Sequence, residues 1–353
     1  MWTFRWRRWI LSWVALSALC SLTVSCACAR GPVNASPGLR WWLFSTFGAN
    51  KMCPEILKTG VPLKLDGQPN TIGRFFPDQC HHQVNDQAQT VALHFGGTGY
   101  AWTPVAGRVG FRATAAVEYR MDFYLAEEGI YVWGKPHRIL AAPEFQIDAV
   151  EYKVVDWASR TPVGYMAQTF GGQIMASHLS SGFTVVRTDS GDEFALGHLR
   201  PPARPPKPFD LPKGRRIVYA NESIEVRAEQ VDFLGPFEVA EEEQALFFRF
   251  RLTGPAAEAL LWHKSVADMW RRNLQVGAPL GPPPQPALVG IPLQPGVPQQ
   301  RKVPLPPGQY YLVIDNSSRV GQVNPPWNPL NMVGASAAVL AYTAELGDVD
   351  DDF

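Results

Sequence analysis

Four side chains in the N-terminal half of the sequence have the chemistry of metal ligands or general bases: His81, His82, Asp86 and His94. Together with Glu118 or Asp122 they would serve a hydrolase if the fold brought them into one cleft. Their spacing matches neither HExxH nor CxxC zinc motifs, and neighbouring strand residues such as His81 and His82 point to opposite faces. We therefore expect surface or hydrogen-bonding roles for these side chains and no bound metal.

A glycine-rich segment, Gly96-Gly97-Thr98-Gly99, follows the apolar run Val91–Phe95. Successive glycines can turn backbone N–H groups toward an anion. The segment lacks the spacing of a phosphate-binding loop or of a dinucleotide fingerprint, and the chain has no GxSxG nucleophile motif. A bend after a strand is the simpler interpretation, so we expect no cofactor.

Six aromatic residues of the N-terminal half stand in short clusters or near predicted strand ends: Trp41, Trp42, Tyr100, Trp102, Tyr131 and Trp133. Exposed aromatic faces serve as stacking platforms in sugar-binding sandwiches. Most aromatic side chains of β proteins are instead packing material in the core or at its rim. Both interpretations stay open, and packing is the more common case.

The charge balance of the chain excludes two classes of protein. The chain holds 32 Lys and Arg against 32 Asp and Glu, and 46% of its residues are hydrophobic. A nucleic-acid binder needs a basic surface, so nucleic acid is not an expected partner. Disorder requires few apolar residues and a large net charge, so we expect the chain to fold. Its 32 Pro and 30 Gly favour strands and turns over long helices.

The first 29 residues are typical of a segment that directs a chain out of the cytoplasm. Three arginines, Arg5, Arg7 and Arg8, precede an apolar stretch over residues 10–24. Removing these three from the 32 basic residues leaves 29 against 32 acidic ones, so the remaining chain is mildly acidic.

Three interpretations of this segment stay open. Small residues at Ala27 and Ala29 indicate a cleavage site that would release a secreted protein. Leu22–Cys26 resembles a bacterial lipoprotein signal in which Cys26 becomes the lipidated N-terminus, although Thr23 replaces a larger aliphatic residue. An uncleaved stretch of about 20 residues would be long enough for a membrane anchor. Each interpretation places the remainder outside the cytoplasm, with membrane contact only through the anchor or lipid.

Cys53 and Cys80 are the cysteines that lie beyond this segment. A pair of cysteines in an oxidising compartment predicts a disulfide rather than a metal or catalytic site. Its loop of about 27 residues would make the bond worth on the order of 3 kcal/mol.

Alternation of apolar and polar residues predicts strands in both halves of the chain. From Phe111 to Leu125 every second residue is apolar or small, which indicates one or two half-buried antiparallel strands. Further strands are predicted over residues 147–157, 183–188, 193–197, 246–252, 309–315 and 335–346, with a hairpin turn at Ser190-Gly191-Asp192. Helical spacing predicts one helix, over Ala256–Leu274.

Proline divides the chain. Six of the thirteen residues 200–212 are Pro, which predicts an extended linker, and eleven of the 29 residues 279–307 are Pro, which predicts a surface loop or an insertion. The predicted fold is mostly β, with two antiparallel sandwich or jelly-roll-like domains and a short helix in the second. The expected division is a targeting segment (1–29), an N-terminal β-rich domain (30–199), the linker (200–212), a C-terminal β-sandwich (213–347) and a solvated acidic tail (348–353).

The segment Leu305–Asn316, LPPGQYYLVIDN, resembles the PxGxYY strand of bacterial extracellular β-sandwich modules, including the pre-peptidase C-terminal type. In those modules a Pro-Gly turn leads into a tyrosine-rich strand near the end of a jelly-roll-like sandwich. The resemblance covers residues 215–347, and the Asp-rich ion-binding segment of such modules is absent between Gly254 and Leu274. It implies a fold and a compartment rather than an activity.

The whole chain resembles a bacterial secreted or lipoprotein-type envelope protein. We expect a binding or structural role outside the cytoplasm, with an envelope protein or a polysaccharide as partner. The alternative is an envelope-directed hydrolase that uses the His/Asp set, which we favour less because the sequence carries no catalytic motif.

Overall fold

The computed structural model describes residues 30–58, 60–64, 70–103, 107–151, 179–212, 214, 216–324 and 337–353. The predicted targeting segment, with Cys26, lies outside these ranges, as do residues 152–157 of one predicted strand. Within the described part the protein is mostly β, as predicted, and has two sheets. None of the helices in that part is long and apolar enough to cross a membrane.

The N-terminal half is built on a meander of long antiparallel strands. The strands are β1 (Val61–Lys64), β2 (Thr71–Asn85), β3 (Thr90–Thr103), β4 (Gly107–Leu125), β5 (Ile130–Val150), β6 (Phe183–Thr188) and β7 (Gly191–Leu196). From β2 to β7 each strand pairs with the next, and β1 pairs with β2. The alternation from Phe111 onward belongs to one strand, β4, whose odd-numbered residues are buried up to Phe123. A hairpin turn joins β6 and β7 as predicted, but Asp189 and Ser190 form it, while Gly191, with a φ of 122°, and Asp192 already belong to β7.

A layer of short helices covers one face of this meander. It contains helical residues 30–35, helix α1 (Pro37–Leu43), a π-helical segment (Phe44–Gly48) and helix α2 (Ala49–Ile56); we call residues 30–56 the helical layer. Ser36 caps α1 by accepting a hydrogen bond from the N–H of Leu39 (3.3 Å). The layer packs its buried side chains against β3 and β4 in one apolar cluster, which includes Trp41, Phe44, Ala49, Cys53, Val91, Leu93, Val117, Tyr119 and Met121.

The C-terminal half is a sandwich of two sheets around an apolar core. Its elements are β8 (Ile217–Val226), β9 (Gln230–Val239), β10 (Gln244–Thr253), β11 (Ala257–His263), helix α3 (Lys264–Gln275), β12 (Val289–Leu293), β13 (Gln299–Pro304), β14 (Gly308–Asn316) and β15 (Ala338–Asp348). The strand order is β13-β10-β15-β8 in one sheet and β12-β11-β14-β9 in the other. Alternate residues such as Phe248 of β10 and Leu312 of β14 meet in the core between them.

The predicted helix Ala256–Leu274 is wrong in its first half. Residues Ala257–His263 form strand β11, and α3 begins only at Lys264. β11 lies between β12 and β14 and is buried from Ala257 to Trp262, so its side chains do not alternate in polarity. A short unbroken apolar run is compatible with a strand or a helix, and sequence spacing alone does not separate them.

The predicted bend at residues 96–99 is also wrong, because these residues lie inside β3. A Cβ at Gly97 would collide with the backbone of Phe76 and Pro77, and one at Gly99 would meet the carbonyl oxygen of Arg74. The glycines therefore permit close approach of β2 and β3. The segment pairs with strands on both sides instead of forming an anion-binding turn.

The two proline-rich stretches have different structures. Residues 200–212 contain neither helix nor strand and connect β7 to β8. The prediction of a surface loop or an insertion over residues 279–307 is wrong, because this stretch contributes β12 and β13 as edge strands of the two sandwich sheets. Proline is tolerated at sheet edges because it lacks an N–H donor.

The acidic C-terminus lies along the sandwich, and its residues Asp348, Asp350 and Asp352 are exposed to solvent. Lys302 Nζ donates hydrogen bonds to the carbonyl oxygens of Val349 (2.9 Å) and Asp351 (3.1 Å). The ring of Phe353 packs against Phe247, with 5.3 Å between centroids. The tail residues thus cover the outer face of the sandwich sheet that contains β10.

Strands from both sides of the proline-rich linker form one continuous sheet. β2 and β8 meet through a single parallel contact, between Thr71 and Ile224. A second apolar cluster, which we call the joining core, combines residues of both halves: Phe76, Tyr100, Phe233, Leu260, Trp262, Trp270, Leu274, Tyr311 and Val313. The division into two domains stays a prediction, while the described parts of both halves share this core.

A buried charge stands beside the joining core. Arg74 of β2 is 3% exposed and forms ion pairs with Glu222 (2.7 Å) and Asp232 (3.3 Å) of the C-terminal half. The hydroxyl of Tyr342 donates to Glu222 (2.6 Å), and that of Tyr100 donates to Asp232. Burial and the adjacent carboxylate raise the pKa of each tyrosine well above its ordinary value, so both phenols stay protonated donors.

The carboxylates of this cluster depend on the arginine. Burial alone would raise the pKa of Glu222, but the charge of Arg74 and hydrogen bonds from Tyr342 and Arg74 outweigh burial and hold it below its ordinary value. Removing the guanidinium would leave the buried carboxylate of Asp232 and the partly buried one of Glu222 without a cation in direct contact.

We expect Arg74→Met to lower the free energy of unfolding by about 3–5 kcal/mol, because breaking a buried ion pair leaves an uncompensated charge. The matched control is Arg112→Met, which removes an arginine that is 59% exposed and paired with Asp148; its expected cost is about 1 kcal/mol or less. Both values come from denaturant unfolding curves. Equal losses in the two variants would contradict a joining role for Arg74.

Candidate functional site

The predicted disulfide between Cys53 and Cys80 is confirmed, with 5.3 Å between the two Cα atoms. Cys53 lies in α2 and Cys80 in β2, so the bond fastens the helical layer to the meander. A second link is the ion pair between Arg40 of α1 and Asp122 of β4 (2.6 Å). The layer is thus held by both a covalent bond and a charge pair.

The alternation of side chains along β2 separates the predicted His/Asp set. His82 lies on the side of the helical layer, where its Nε2 is 3.3 Å from Oδ1 of Asn50. Asp86 accepts a hydrogen bond from the indole Nε1 of Trp41 (2.9 Å). Both side chains therefore contact the helical layer.

His81 and His94 lie on the opposite side of the meander, which we call the open face. They stand directly across from one another on β2 and β3, with 6.4 Å between ring centroids, and both are exposed. A structural zinc site needs four ligands. Among the residues that the structure describes, no group of three or more His, Cys, Asp or Glu is arranged to hold a metal.

Glu118 and Asp122, the two carboxylates considered as further members of this set, form hydrogen bonds and ion pairs with other residues. Glu118 accepts a hydrogen bond from Thr90 (2.6 Å) and pairs with Arg138 (3.1 Å). The Thr90 hydrogen bond, aided by the Arg138 charge, lowers the pKa of Glu118, which makes it a weak general base. Asp122 is bound to Arg40. The set proposed for a hydrolase does not converge in one cleft, because His82, Asp86 and Asp122 contact the helical layer, whereas His81, His94 and the Arg138-paired Glu118 lie on the open face.

The predicted aromatic residues do not share one surface. Trp41, Tyr100 and Tyr131 are buried, in line with the favoured interpretation as packing residues, and this removes Trp41 and Tyr100 from the candidates for a ligand platform. Trp102 is half-buried beneath the guanidinium of Arg227 (4.2 Å to the ring centroid), and Trp133 packs against His198 (4.8 Å between centroids).

Trp42 differs from this group because 55% of it is exposed. It contacts Phe47 edge to face, with 6.0 Å between ring centroids, and Phe47 is 61% exposed. Phe47 is not among the residues predicted from the sequence. The signal that would have found it is the spacing of Trp42 and Phe47 along a helical stretch whose neighbours Trp41 and Phe44 face the core.

Two buried carboxylates lie next to each other near the end of β14, the strand that resembles those of extracellular sandwich modules. Asp315 of β14 lies across from Glu258 of β11, and both are buried. Asp315 accepts hydrogen bonds from the N–H groups of Ser317 (3.0 Å) and Gly321 (2.8 Å), and Glu258 accepts one from Val323 (3.1 Å). The pair organises the loop after β14.

Burial, together with the nearby charge of Glu258, raises the pKa of Asp315 to about 6, although its hydrogen bonds act in the opposite direction. Because this folded-state value lies above 3.8, the native protein binds a proton between about pH 4 and 6 that the unfolded chain has lost. The stabilisation is complete only below the unfolded value of 3.8 and is lost as the pH rises through 6.

We expect the stability difference between wild type and Asp315→Asn to shift against the wild type by about 2 kcal/mol from pH 4 to pH 7, since the amide does not titrate. Urea unfolding at intervals across this range measures it. The control is Asp210→Asn, at an exposed carboxylate. The stability difference between this variant and the wild type should not change with pH over the same range. A difference that shifts toward the wild type as the pH rises would rule out a raised pKa.

For the disulfide, we expect Cys53→Ala/Cys80→Ala to lower the free energy of unfolding by about 3 kcal/mol, because the cross-link closes a 27-residue separation. Limited proteolysis should cut the variant first within residues 30–56. A reducing agent serves as the control: it should destabilise the wild type by a similar amount and leave the variant unchanged. Equal protease resistance of both proteins would show that the bond does not hold the layer.

Comparisons with known proteins add little to this geometry. No family model matches the sequence, and no curated protein is significantly similar to it. One solved structure that aligns is that of T=1 particles derived from infectious bursal virus, with 11% identity and a TM-score of 0.18 over 89% of this chain and 83% of that chain. Another is the Gx strain of infectious bursal disease virus, with 10% identity and a TM-score of 0.17 over 81% of both chains. TM-scores this low carry no argument about this protein.

Proposed function

We propose that the protein is a binding or structural protein of the bacterial envelope, secreted or held at the membrane by its N-terminus. The Cys53–Cys80 disulfide is the observation that carries the proposal, because such bonds persist in oxidising compartments and are rare in the cytoplasm. The basic and apolar pattern of residues 1–29 supports the same location.

The open face is the surface that suits a polar partner. Its long strands carry exposed His81 and His94 together with two ion pairs, Arg112–Asp148 and Arg138–Glu118, in which the arginine side chains are 59% and 68% exposed. Planar guanidinium groups donate several hydrogen bonds in a fixed geometry to carboxylates, phosphates and sugar hydroxyls. A rigid polar sheet of this kind fits an envelope polysaccharide or the polar surface of an envelope protein.

A binding role accounts for the site geometry better than catalysis does. Asp86, His82 and Asp122 hold the helical layer, and Glu118 is stabilised in its ionised form. These contacts fix the scaffold on which the open face is displayed.

Intact-mass analysis of the protein purified from a Gram-negative host, expressed with its own N-terminus, tests the location. We expect either a diacyl or triacyl modification of Cys26, a chain beginning at Arg30, or a membrane-bound full-length chain, in each case with Cys53 and Cys80 oxidised. Cys26→Ser should abolish lipidation, whereas Cys28→Ser is the matched control that should preserve it. A cytoplasmic full-length chain with both body cysteines reduced would overturn the proposal.

A further inference from the structure

The outer surface of the helical layer lacks exposed charge over a long stretch. From Gly31 to Gly48 the chain contains one charged residue, Arg40. Its side chain is only 13% exposed and is bound to Asp122 at 2.6 Å. The exposed residues of this stretch are apolar, small or uncharged: Gly31, Pro32, Ala35, Pro37, Gly38, Trp42, Thr46 and Phe47.

The most prominent side chains on this surface are Trp42 and Phe47. Their exposed fractions of 55% and 61% are large for aromatic residues that contact each other, and the burial of Trp41 and Phe44 beneath them fixes their outward direction. Aromatic side chains with an apolar body favour the boundary between lipid headgroups and acyl chains, and tryptophan also places its indole N–H there.

Cations flank this uncharged surface. Arg30 precedes it, and Lys51 follows it as an exposed residue of α2. Lys58 contributes no net charge, because it pairs with Glu55 at 2.8 Å. Basic residues beside an apolar patch are attracted to anionic lipid headgroups.

The part of the chain that precedes the helical layer also favours lipid as the partner of this surface. The apolar segment of residues 10–24 ends shortly before Arg30, where the helical layer begins. Twelve residues, mostly helical, separate Arg30 from Trp42, so the two lie within about 20 Å of each other. Any attachment of the N-terminus to a membrane would keep this surface near the lipid.

We propose that the helical layer rests on the membrane and inserts Trp42 and Phe47 into the lipid interface. The open face, on the opposite side of the meander, is then directed away from the bilayer toward a partner. This inference rests on the proposed envelope location and adds a membrane contact beyond the N-terminal anchor.

Hydroxyl-radical footprinting of the full-length protein in vesicles of phosphatidylethanolamine and phosphatidylglycerol tests the inference. Flotation of the vesicles first establishes attachment. Protection factors are then compared for Trp42 and Phe47 on the helical layer and for Met269, which is 48% exposed on α3 of the C-terminal half. We expect protection of Trp42 and Phe47 to exceed that of Met269 by about fivefold or more, because the lipid interface excludes water.

A charge substitution gives a second measurement. Trp42→Glu should remove most of the protection of Phe47, because a carboxylate is costly to place among acyl chains, while the control Met269→Glu should leave it unchanged. Both positions are exposed, and the Cys53–Cys80 bond reports that each variant has folded.

The outcomes separate the two proposals. A protein that does not float with vesicles overturns the lipid contact and the membrane-attached form of the proposed function together. A protein that floats while Trp42 and Phe47 show no more protection than Met269 overturns the lipid contact alone. Protection that occurs in cells and is absent in purified vesicles assigns the surface to a protein partner and also overturns it.

Discussion

The arrangement of the two halves depends on the buried charge of Arg74. The guanidinium comes from the N-terminal meander, and its carboxylate partners, Glu222 and Asp232, come from the C-terminal sandwich. A buried arginine is tolerated only where such partners offset its loss of hydration. Tyr100 adds a second constraint, because its hydroxyl also accepts a hydrogen bond from the N–H of Phe233 (2.9 Å). Polar matching therefore sets how the halves meet, while the joining core supplies the apolar area.

The helical layer is likewise held in place by a few specific contacts. The disulfide fixes α2, and the Arg40–Asp122 pair fixes α1. The hydrogen bond from the indole of Trp41 to Asp86 is a third link between the layer and the meander. Residues that sequence inspection regards as catalytic candidates are thus used to position a surface. With the layer fixed, Trp42 and Phe47 are directed outward on one side of the meander and the histidine pair on the other.

Prediction from sequence succeeded where a local pattern had one structural solution. The alternation from Phe111 to Leu125 and the Pro-Gly turn before Tyr310 correspond to β4 and β14. It failed where two solutions were compatible with the same residues: the apolar residues of β11 suit a central strand as well as a helix. The helical layer was missed because its helices are short and interrupted by a π-helical segment, which obscures a regular spacing.

The sequence by itself determined the fold class, the disulfide and the positions of the two proline-rich stretches. Composition, cysteine count and the alternation of apolar and polar residues are local properties of the chain. Only the tertiary structure decided which face each histidine occupies, which aromatic residues stay exposed and what partners Arg74. These outcomes depend on strand register and on contacts between residues more than 100 positions apart, such as Arg74 with Glu222. The spacing of residues along the chain does not predict which residues so far apart in sequence come into contact.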